Sequence, residues 1–397
     1  MAIEVLRNQQ IRRLAFAGLF SRSATAVVPI AITLSLALEG RSRSAGFVIS
    51  AYLLTVALSA PPLGRLLDRH NQQVILGVSG GSYVASLLSI SILLSQGGSA
   101  EWLLITLGLV AGLAYPPLGA VLRPMWRRVA DNDSQTRKAH VFDSFTEEAS
   151  FVIGPLIVAL AIGQIVWLPV VSAAVIATSN FYVASASMRT RRTAAQPGTT
   201  RATTAKGGTL TLLKSSGFGS LVVVVAATAL GFGALSIAVP VNAASEGRPE
   251  WAGIILGLFS LAGIMGGLVY ARLEGSEDLR LHIAASLALL AVPTVLSVFV
   301  GGIVALAILV FAAGLGVTPF FVASYLLIDR SVNEQRQSEA TSWIGTANNF
   351  GAAIGAVVAG LAAGPTTGRA IVAAGFTLAL FLAISMTSTS RSPATSV

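Results

Sequence analysis

The sequence predicts an all-α membrane protein with twelve transmembrane helices in two pseudo-symmetric six-helix bundles. Of its 397 residues, 54% are hydrophobic and only 11% are charged, whereas a soluble domain is about a quarter charged. Its apolar runs are long enough to cross a bilayer core of about 30 Å, which takes roughly 20 helical residues. Short patterns in the first half also recur, in order, in the second.

Twelve apolar runs have this length. The first six lie at approximately 12–38, 45–63, 74–95, 102–122, 141–163 and 165–187. The second six lie at approximately 217–243, 252–271, 281–299, 301–328, 342–364 and 369–388. The stretch between them is rich in Arg, Thr, Gly and Pro, which is typical of a flexible linker. We therefore expect an N-terminal bundle over 1–188, a cytoplasmic linker over 189–216 and a C-terminal bundle over 217–397.

The distribution of basic residues predicts the orientation. With the N-terminus inside, 21 Lys and Arg fall on the inner segments and four on the outer ones (Arg41, Arg43, Arg248 and Arg369). Because cytoplasmic loops carry the excess of basic residues, both termini are expected in the cytoplasm, here of a bacterium with the chain in its inner membrane. Basic residues spread between apolar runs also argue against nucleic-acid binding, despite the net charge of +9.

Several kinds of chemistry are excluded. The chain has no cysteine, and its three histidines lie far apart, so no metal-ligand spacing is present. No phosphate-binding loop or Ser/His/Asp pattern is visible, so we expect no enzyme activity and no cofactor.

Three pairs of segments carry the internal repeat. Small changes of offset that fall in loops are what a duplicated six-helix unit accumulates. The pairs are Glu39-Gly40-Arg41 with Glu246-Gly247-Arg248 (offset 207), Gly112-Leu113 and Pro117 with Gly314-Leu315 and Pro319 (offset 202), and 146–154 with 347–355 (offset 201).

The fifth run contains two adjacent carboxylates, Glu147 and Glu148, about two turns before Gly154-Pro155. A charged side chain at mid-membrane costs about 2.5–3.5 kcal/mol on insertion scales, so we expect the pair to have a function. Burial and a neighbouring like charge favour the neutral form of a carboxyl group, which suits proton binding and release near neutral pH. Glu147 lies on the smaller and more polar helix stripe, so we expect it to face inward.

Arg22 lies inside the first run at a depth comparable to that of Glu147. We expect it to take part in proton coupling with the two glutamates. A purely structural ion pair and recognition of an anionic substrate remain alternatives.

The second half has the amides Asn348 and Asn349 in place of the glutamates, and amides do not titrate. They are candidate cavity residues, together with Tyr52, Tyr115, Tyr325 and Trp343. An aromatic residue in a membrane helix is, taken alone, more often structural.

The loop between the second and third runs reads Gly64-Arg-Leu-Leu-Asp68-Arg69-His-Asn71-Gln-Gln73. Together with twelve spans and the repeat, it resembles the major facilitator superfamily, whose signature here is G-x-x-x-D-R/K-x-G-R/K-R/K. Gly64, Asp68 and Arg69 match. Asn71 replaces the later glycine, which is tolerable because asparagine also adopts left-handed angles, and two glutamines replace the basic pair.

The resemblance implies particular roles for these residues. Gly64, Asp68 and Arg69 would form a conformational latch with Arg123 at the inner end of the fourth span. The alternative without a conformational role is a solvated turn in which Asp68 is an ordinary capping residue. Gly154-Pro155 partly resembles the helix-five motif of family members that export by antiport, although a packing glycine beside a tolerated proline explains it equally well.

The resemblance and the glutamate pair together predict export of a small organic compound, drug-like or a metabolite, by proton antiport with alternating access. The proton gradient would be the energy source, the partners would be substrate, protons and the lipid bilayer, and the chain would act as a monomer. Proton-coupled uptake or exchange of a polar metabolite, such as a sugar or organic anion, is the first alternative. A membrane receptor or lipid-handling protein without transport is an alternative of another class.

Overall fold

The computed structural model describes residues 9–97, 100–116, 118, 122, 125, 133–193, 218–272, 278–332, 337–362 and 364–389. Throughout these residues the regular elements are helices, with no strand. The chain divides into two compact units, Met1–Thr200 and Arg201–Val397. The predicted linker lies mostly outside the described residues, although its first five positions continue a helix to Thr193.

The first unit contains α1 (Gln9–Leu38), α2 (Ser42–Arg69), α3 (Gln72–Gln96), α4 (Glu101–Ala114), α5 (Asp133–Leu160), a 3₁₀ turn (Ile162–Gln164) and α6 (Leu168–Thr193). The second contains α7 (Phe218–Ser245), α8 (Glu250–Tyr270), α9 (Leu279–Phe299), α10 (Ile303–Gly314), α11 (Val317–Ser331), α12 (Gln337–Leu361) and α13 (Pro365–Thr389).

In the described part of the chain, ten segments are long and apolar enough to cross a membrane, and they match ten of the predicted runs. The other two predicted runs, 102–122 and 141–163, correspond to α4, which is shorter, and to α5, which carries charged residues. The prediction of an all-α membrane fold is confirmed.

The two units pack their helices in the same way. In the first, α1 lies against α5 and α6, α2 against α4, and α3 against α4 and α6. In the second, α7 lies against α12 and α13, α8 against α10 and α11, and α9 against α10, α11 and α13. The sequence repeat is therefore a repeat of tertiary packing.

The first pair of repeated segments also has the same backbone. Gly40 and Gly247 have φ values of +72° and +68°, in the left-handed region where glycine has no steric penalty. The amides of Arg41 and Arg248 each bond back to a helix carbonyl, at 2.8 and 2.9 Å. Each glycine thus ends its helix and turns the chain into the next one.

The fourth span of each unit is interrupted, which corrects the prediction of continuous helices over 102–122 and 301–328. In the first unit α4 ends at Ala114, because the proline at 116 has no N–H and disfavours helical angles before it. Ser79 donates a hydrogen bond to the Ala114 carbonyl at 3.0 Å, and Ser59 donates one to the Gly112 carbonyl at 3.2 Å.

In the second unit a turn at 315–316 separates α10 from α11. Gly316 lies so close to the backbone of Ser286 that a Cβ would clash with it. A Cβ on Gly266 of α8 would likewise clash with the backbone of Leu315. Polar backbone at membrane depth is tolerated only where protein or a water-filled cavity covers it. Here the neighbouring helices cover it.

Candidate functional site

Arg22 on α1 contacts two neighbouring residues on α5. Its Nη1 donates a hydrogen bond to Thr146 Oγ1 at 3.0 Å, and its Nη2 lies 3.8 Å from Glu147 Oε2. The side chain of Arg22 is 13% exposed and that of Glu147 is 43% exposed. A direct charge-assisted hydrogen bond is about 2.7–2.9 Å long, so this ion pair is a loose one. We call Arg22, Thr146 and Glu147 the coupling cluster.

Gly154 sets the approach of α5 to α1 that brings the coupling cluster together. A Cβ at this position would lie 2.6 Å from the Cβ of Ala26 and 2.8 Å from the carbonyl oxygen of Ser23. Only glycine allows so close a contact. Gly154 is seven residues, or two turns, beyond Glu147, and Pro155 beside it is buried within the same helix.

The second carboxylate points another way. Successive helical residues differ by about 100° in direction, and the side chain of Glu148 is exposed. The structure thus brings together two of the three predicted coupling residues and adds Thr146, which the sequence reasoning missed. A polar residue directly before the glutamates was the available signal.

Hydroxyl groups continue from the coupling cluster into the rest of the first unit. Thr25, one turn beyond Arg22, hydrogen-bonds the Tyr115 hydroxyl at 3.1 Å. The Tyr115 ring packs edge-to-face on Tyr83 at 5.7 Å, and the Tyr83 hydroxyl is 3.1 Å from that of Tyr52. Tyr52 and Tyr83 are buried, at 4% and 0% exposed.

Tyr83 was not among the predicted residues, although it lies in an apolar run as Tyr52 and Tyr115 do. Tyr52 and Tyr115 were predicted to line a cavity. Their observed contacts are with side chains of their own unit, and a cavity role stays a prediction.

The second unit has no charged counterpart of the coupling cluster at the matching positions. Ala229 stands at the place of Arg22 and Gly351 at that of Ser150, and a Cβ on Gly351 would lie 3.0 Å from the Ala229 Cβ. Asn348 and Asn349, at the places of the glutamates, are half-buried, as is Trp343. Tyr325 is 40% exposed and stacks on Phe321.

Comparison with known proteins identifies the family of this chain. The model of the Major Facilitator Superfamily matches residues 14–276, which is more than half of the chain. The chain belongs to the Major Facilitator Superfamily. No curated protein matches its sequence closely enough to be counted as a relative.

Solved structures of superfamily transporters resemble the whole chain. The nucleoside transporter NupG aligns with a TM-score of 0.74 at 14% identity, covering 96% of this chain and 99% of its own. A bacterial homologue of the iron transporter ferroportin, in an inward-facing state, aligns with a TM-score of 0.74 at 15% identity, covering 95% and 98%. A bacterial homologue of the human lysosomal transporter Spinster aligns with a TM-score of 0.67 at 12% identity, covering 98% and 99%. Identities this low establish the fold alone.

Membership makes the chain a multi-pass membrane transporter of small molecules and not an enzyme, in a family that needs no cofactor. Within the residues that the structure describes, no three potential metal ligands lie together.

The superfamily loop is only partly described. Gly64 lies in α2, whereas the side chains of Asp68 and Arg69, and the whole of Arg123, lie outside the described residues. Their latch role stays a prediction.

Asn71 corrects one expectation about that loop. Its φ is −66°, not left-handed, and its side chain caps α3 by accepting a hydrogen bond from the Gln73 amide at 3.0 Å. The two glutamines that replace the basic pair also have defined partners. Gln73 donates to Ser185 Oγ at 3.0 Å, and Gln72 donates to the Leu67 carbonyl at 3.2 Å.

Proposed function

We propose that this Major Facilitator Superfamily transporter exports a small organic compound in exchange for protons, with Glu147 as the residue that binds and releases the proton. The observation that supports this most directly is the loose ion pair between Arg22 and Glu147, at 3.8 Å on two spans of the first unit.

The coupling cluster has the parts that a proton-dependent switch needs. When Glu147 is ionised, its charge attracts Arg22, and when it is protonated that attraction is lost. Thr146 then still holds the guanidinium through its 3.0 Å hydrogen bond, so Arg22 is not left without a partner in an apolar span. Glu147 is 43% exposed, so its carboxylate is not enclosed by the helix packing of the first unit.

The difference between the units supports a single proton-binding site. Amides stand at the glutamate positions of the second unit, and they form hydrogen bonds without titrating. Glu148, which is exposed, is the second candidate for the titrating group.

Uptake or exchange of an organic anion is less well supported. Arg22 as an anion ligand would favour it, yet this side chain is 13% exposed and already contacts Thr146 and Glu147. We also propose that both termini are cytoplasmic, in a bacterial inner membrane, because the basic residues concentrate on one side of the predicted spans.

Substrate efflux and proton flux should be measured in proteoliposomes with an imposed pH gradient. We expect Glu147→Gln to retain substrate exchange without a gradient and to lose gradient-driven accumulation. Glu250→Gln, at the start of α8, is the matched control and should behave as wild type. If Glu147→Gln and Glu148→Gln both remain fully gradient-dependent, the assignment of proton coupling is wrong.

A further inference from the structure

A small cavity lies within the second unit, between α7, α9, α10 and α13. Six aliphatic residues and four polar ones line it, and the polar ones are Asn242, Thr294, Ser297 and Arg369. Its volume is about 10 Å³, which is close to the smallest space that holds one water molecule. Apolar cavities stay dry, so whether water enters this one depends on its polar side chains.

Arg369, in the first turns of α13, is held at the end of α9 by its terminal nitrogens. Nη1 donates hydrogen bonds to the carbonyls of Ser297 at 2.9 Å and Val300 at 2.7 Å, and Nη2 donates one to Thr366 Oγ1 at 3.4 Å. The last carbonyls of a helix have no partner within it and carry partial negative charge, so a cation is well placed there. The guanidinium group therefore has a fixed position beside the cavity.

One donor of Arg369 is left over. Its Nε–H is buried and has no acceptor among the residues that the structure describes. A buried donor without a partner costs free energy, and more so when it belongs to a charged group. An acceptor for this nitrogen would therefore stabilise the folded state.

Asn242 on α7 brings an unused acceptor to the same cavity. It is 3% exposed, and its Nδ2 donates hydrogen bonds to the carbonyls of Ala238 at 2.8 Å and Pro365 at 3.2 Å. Because both of these neighbours are acceptors, the side-chain amide has to present its NH₂ group to them. Its Oδ1 accepts no hydrogen bond from a described residue, that of Arg369 included. One cavity is thus lined by a residue with an unused donor and a residue with an unused acceptor.

The first unit lacks both groups. At the offset of 207, Asn242 corresponds to Ser35, which donates its hydroxyl hydrogen to the Ala31 carbonyl of its own helix at 2.8 Å. Residues 161–188, which include most of α6, contain no Lys or Arg that could take the place of Arg369. The helix packing is repeated between the units, but this pair of polar residues is found in the second one alone.

We propose that the cavity binds one water molecule, which accepts a hydrogen bond from Arg369 Nε and donates one to Asn242 Oδ1. Its second hydrogen can go to Ser297 Oγ or Thr294 Oγ1, since each of these hydroxyl groups donates its own hydrogen to a helix carbonyl. Three hydrogen bonds are typical of a buried water. The water would link α7, α9 and α13 through groups that do not reach each other directly. This site is independent of the transported compound and of proton coupling.

Radiolytic footprinting with short X-ray pulses tests for the water in the purified, full-length transporter in nanodiscs. Hydroxyl radicals formed from a bound water oxidise the side chains beside it, and mass spectrometry locates the added oxygen. We expect severalfold more oxidation at Leu306, which lines the cavity and is 4% exposed, than at Leu34, which is 0% exposed in α1. A radical scavenger in the bulk solution should protect Leu38, which is 47% exposed, and leave the oxidation of Leu306 unchanged.

Two variants remove the water in different ways. Val310→Ile adds a methyl group to a residue that lines the cavity, and Asn242→Leu removes the acceptor at nearly the same side-chain size. Each should lower the oxidation of Leu306 severalfold, to the level of Leu34. Val304→Ile is the matched control, because it makes the same change at a position of α10 that is 53% exposed, and it should have no effect. If Asn242→Leu does not fold, Val310→Ile carries the test, since it keeps every hydrogen-bonding side chain.

Oxidation of Leu306 in wild type that is no higher than that of Leu34 overturns the proposal, because the cavity is then dry. Oxidation that the scavenger abolishes also overturns it, because the radicals then come from bulk water. Equal oxidation of Leu306 in wild type and in Val310→Ile contradicts a water at this position. The measurement uses neither substrate nor pH gradient, so its failure and the failure of the proton-coupling test are independent.

Discussion

Replacing Gly154 with alanine tests whether close packing of α1 on α5 is needed for proton coupling. The added methyl would lie 2.6 Å from the Ala26 Cβ and 2.8 Å from the Ser23 carbonyl oxygen. Favourable contacts between carbon atoms are about 3.5–4.0 Å long, so the helices must separate locally by about 1 Å. Overpacking of this kind costs about 1–3 kcal/mol of stability.

The same separation acts on the coupling cluster, two turns away. If it moved Glu147 from 3.8 Å to about 4.8 Å from Arg22, the attraction at an effective dielectric constant near 20 would weaken by about 1 kcal/mol, and by less for a carboxylate as exposed as this one. We expect Gly154→Ala to unfold at a lower temperature and to show severalfold less gradient-driven transport than wild type.

Gly355→Ala is the matched control, because Gly355 holds the same place in the repeat and lies against the Leu230 carbonyl of α7. It should also lower the unfolding temperature, but proton coupling should stay at the wild-type level. Thermal unfolding in detergent and the ratio of protons to substrate in proteoliposomes measure the two effects. If the two variants lose coupling equally, or Gly154→Ala loses none, the reasoning from the coupling cluster is refuted.

Two further substitutions test the contacts around Arg22. Thr146→Val keeps the side-chain shape and removes the hydrogen bond to Arg22. Because hydrogen bonds to charged groups contribute about 1.5–3 kcal/mol to stability, thermal unfolding should occur at a clearly lower temperature. Proteoliposome assays should show altered proton coupling. Tyr115→Phe removes the bond to Thr25 and should cost about 1 kcal/mol, read by chemical unfolding, with substrate transport retained. For both variants, Thr178→Val on an exposed face of α6 is the control. A Thr146→Val protein that is as stable and as strongly coupled as wild type would contradict the proposal that Thr146 holds Arg22.

Much of the fold could be read from the sequence because its signals are local. Apolar length predicts a span wherever it occurs, and ten predicted runs match apolar helices. The interruption of the fourth spans was missed because a run of apolar residues stays apolar across a turn. The prolines near 116 and the Gly314–Gly316 region were visible in the sequence. Whether the backbone breaks there depends on partners such as Ser79 and Gly266, which lie far along the chain.

The depth of the site could be predicted from the sequence, but the contact between its side chains could not. Counting residues from the ends of the helices puts Arg22 and Glu147 at similar depths, since each helical residue rises 1.5 Å. Counting cannot say which side chain meets which across two helices. That depends on how α5 packs against α1, where Gly154 permits a close contact.

The sequence by itself determined the membrane class, the twofold repeat, and the presence of glutamates in one half and amides in the other, because these follow from composition and order. The tertiary structure decided that Glu147 and not Glu148 contacts Arg22, and that Thr146 and Tyr83 join the polar contacts of the first unit. These contacts join residues on different helices. They depend on how the helices pack, as α5 does on α1 at Gly154, and no local pattern in the chain encodes them.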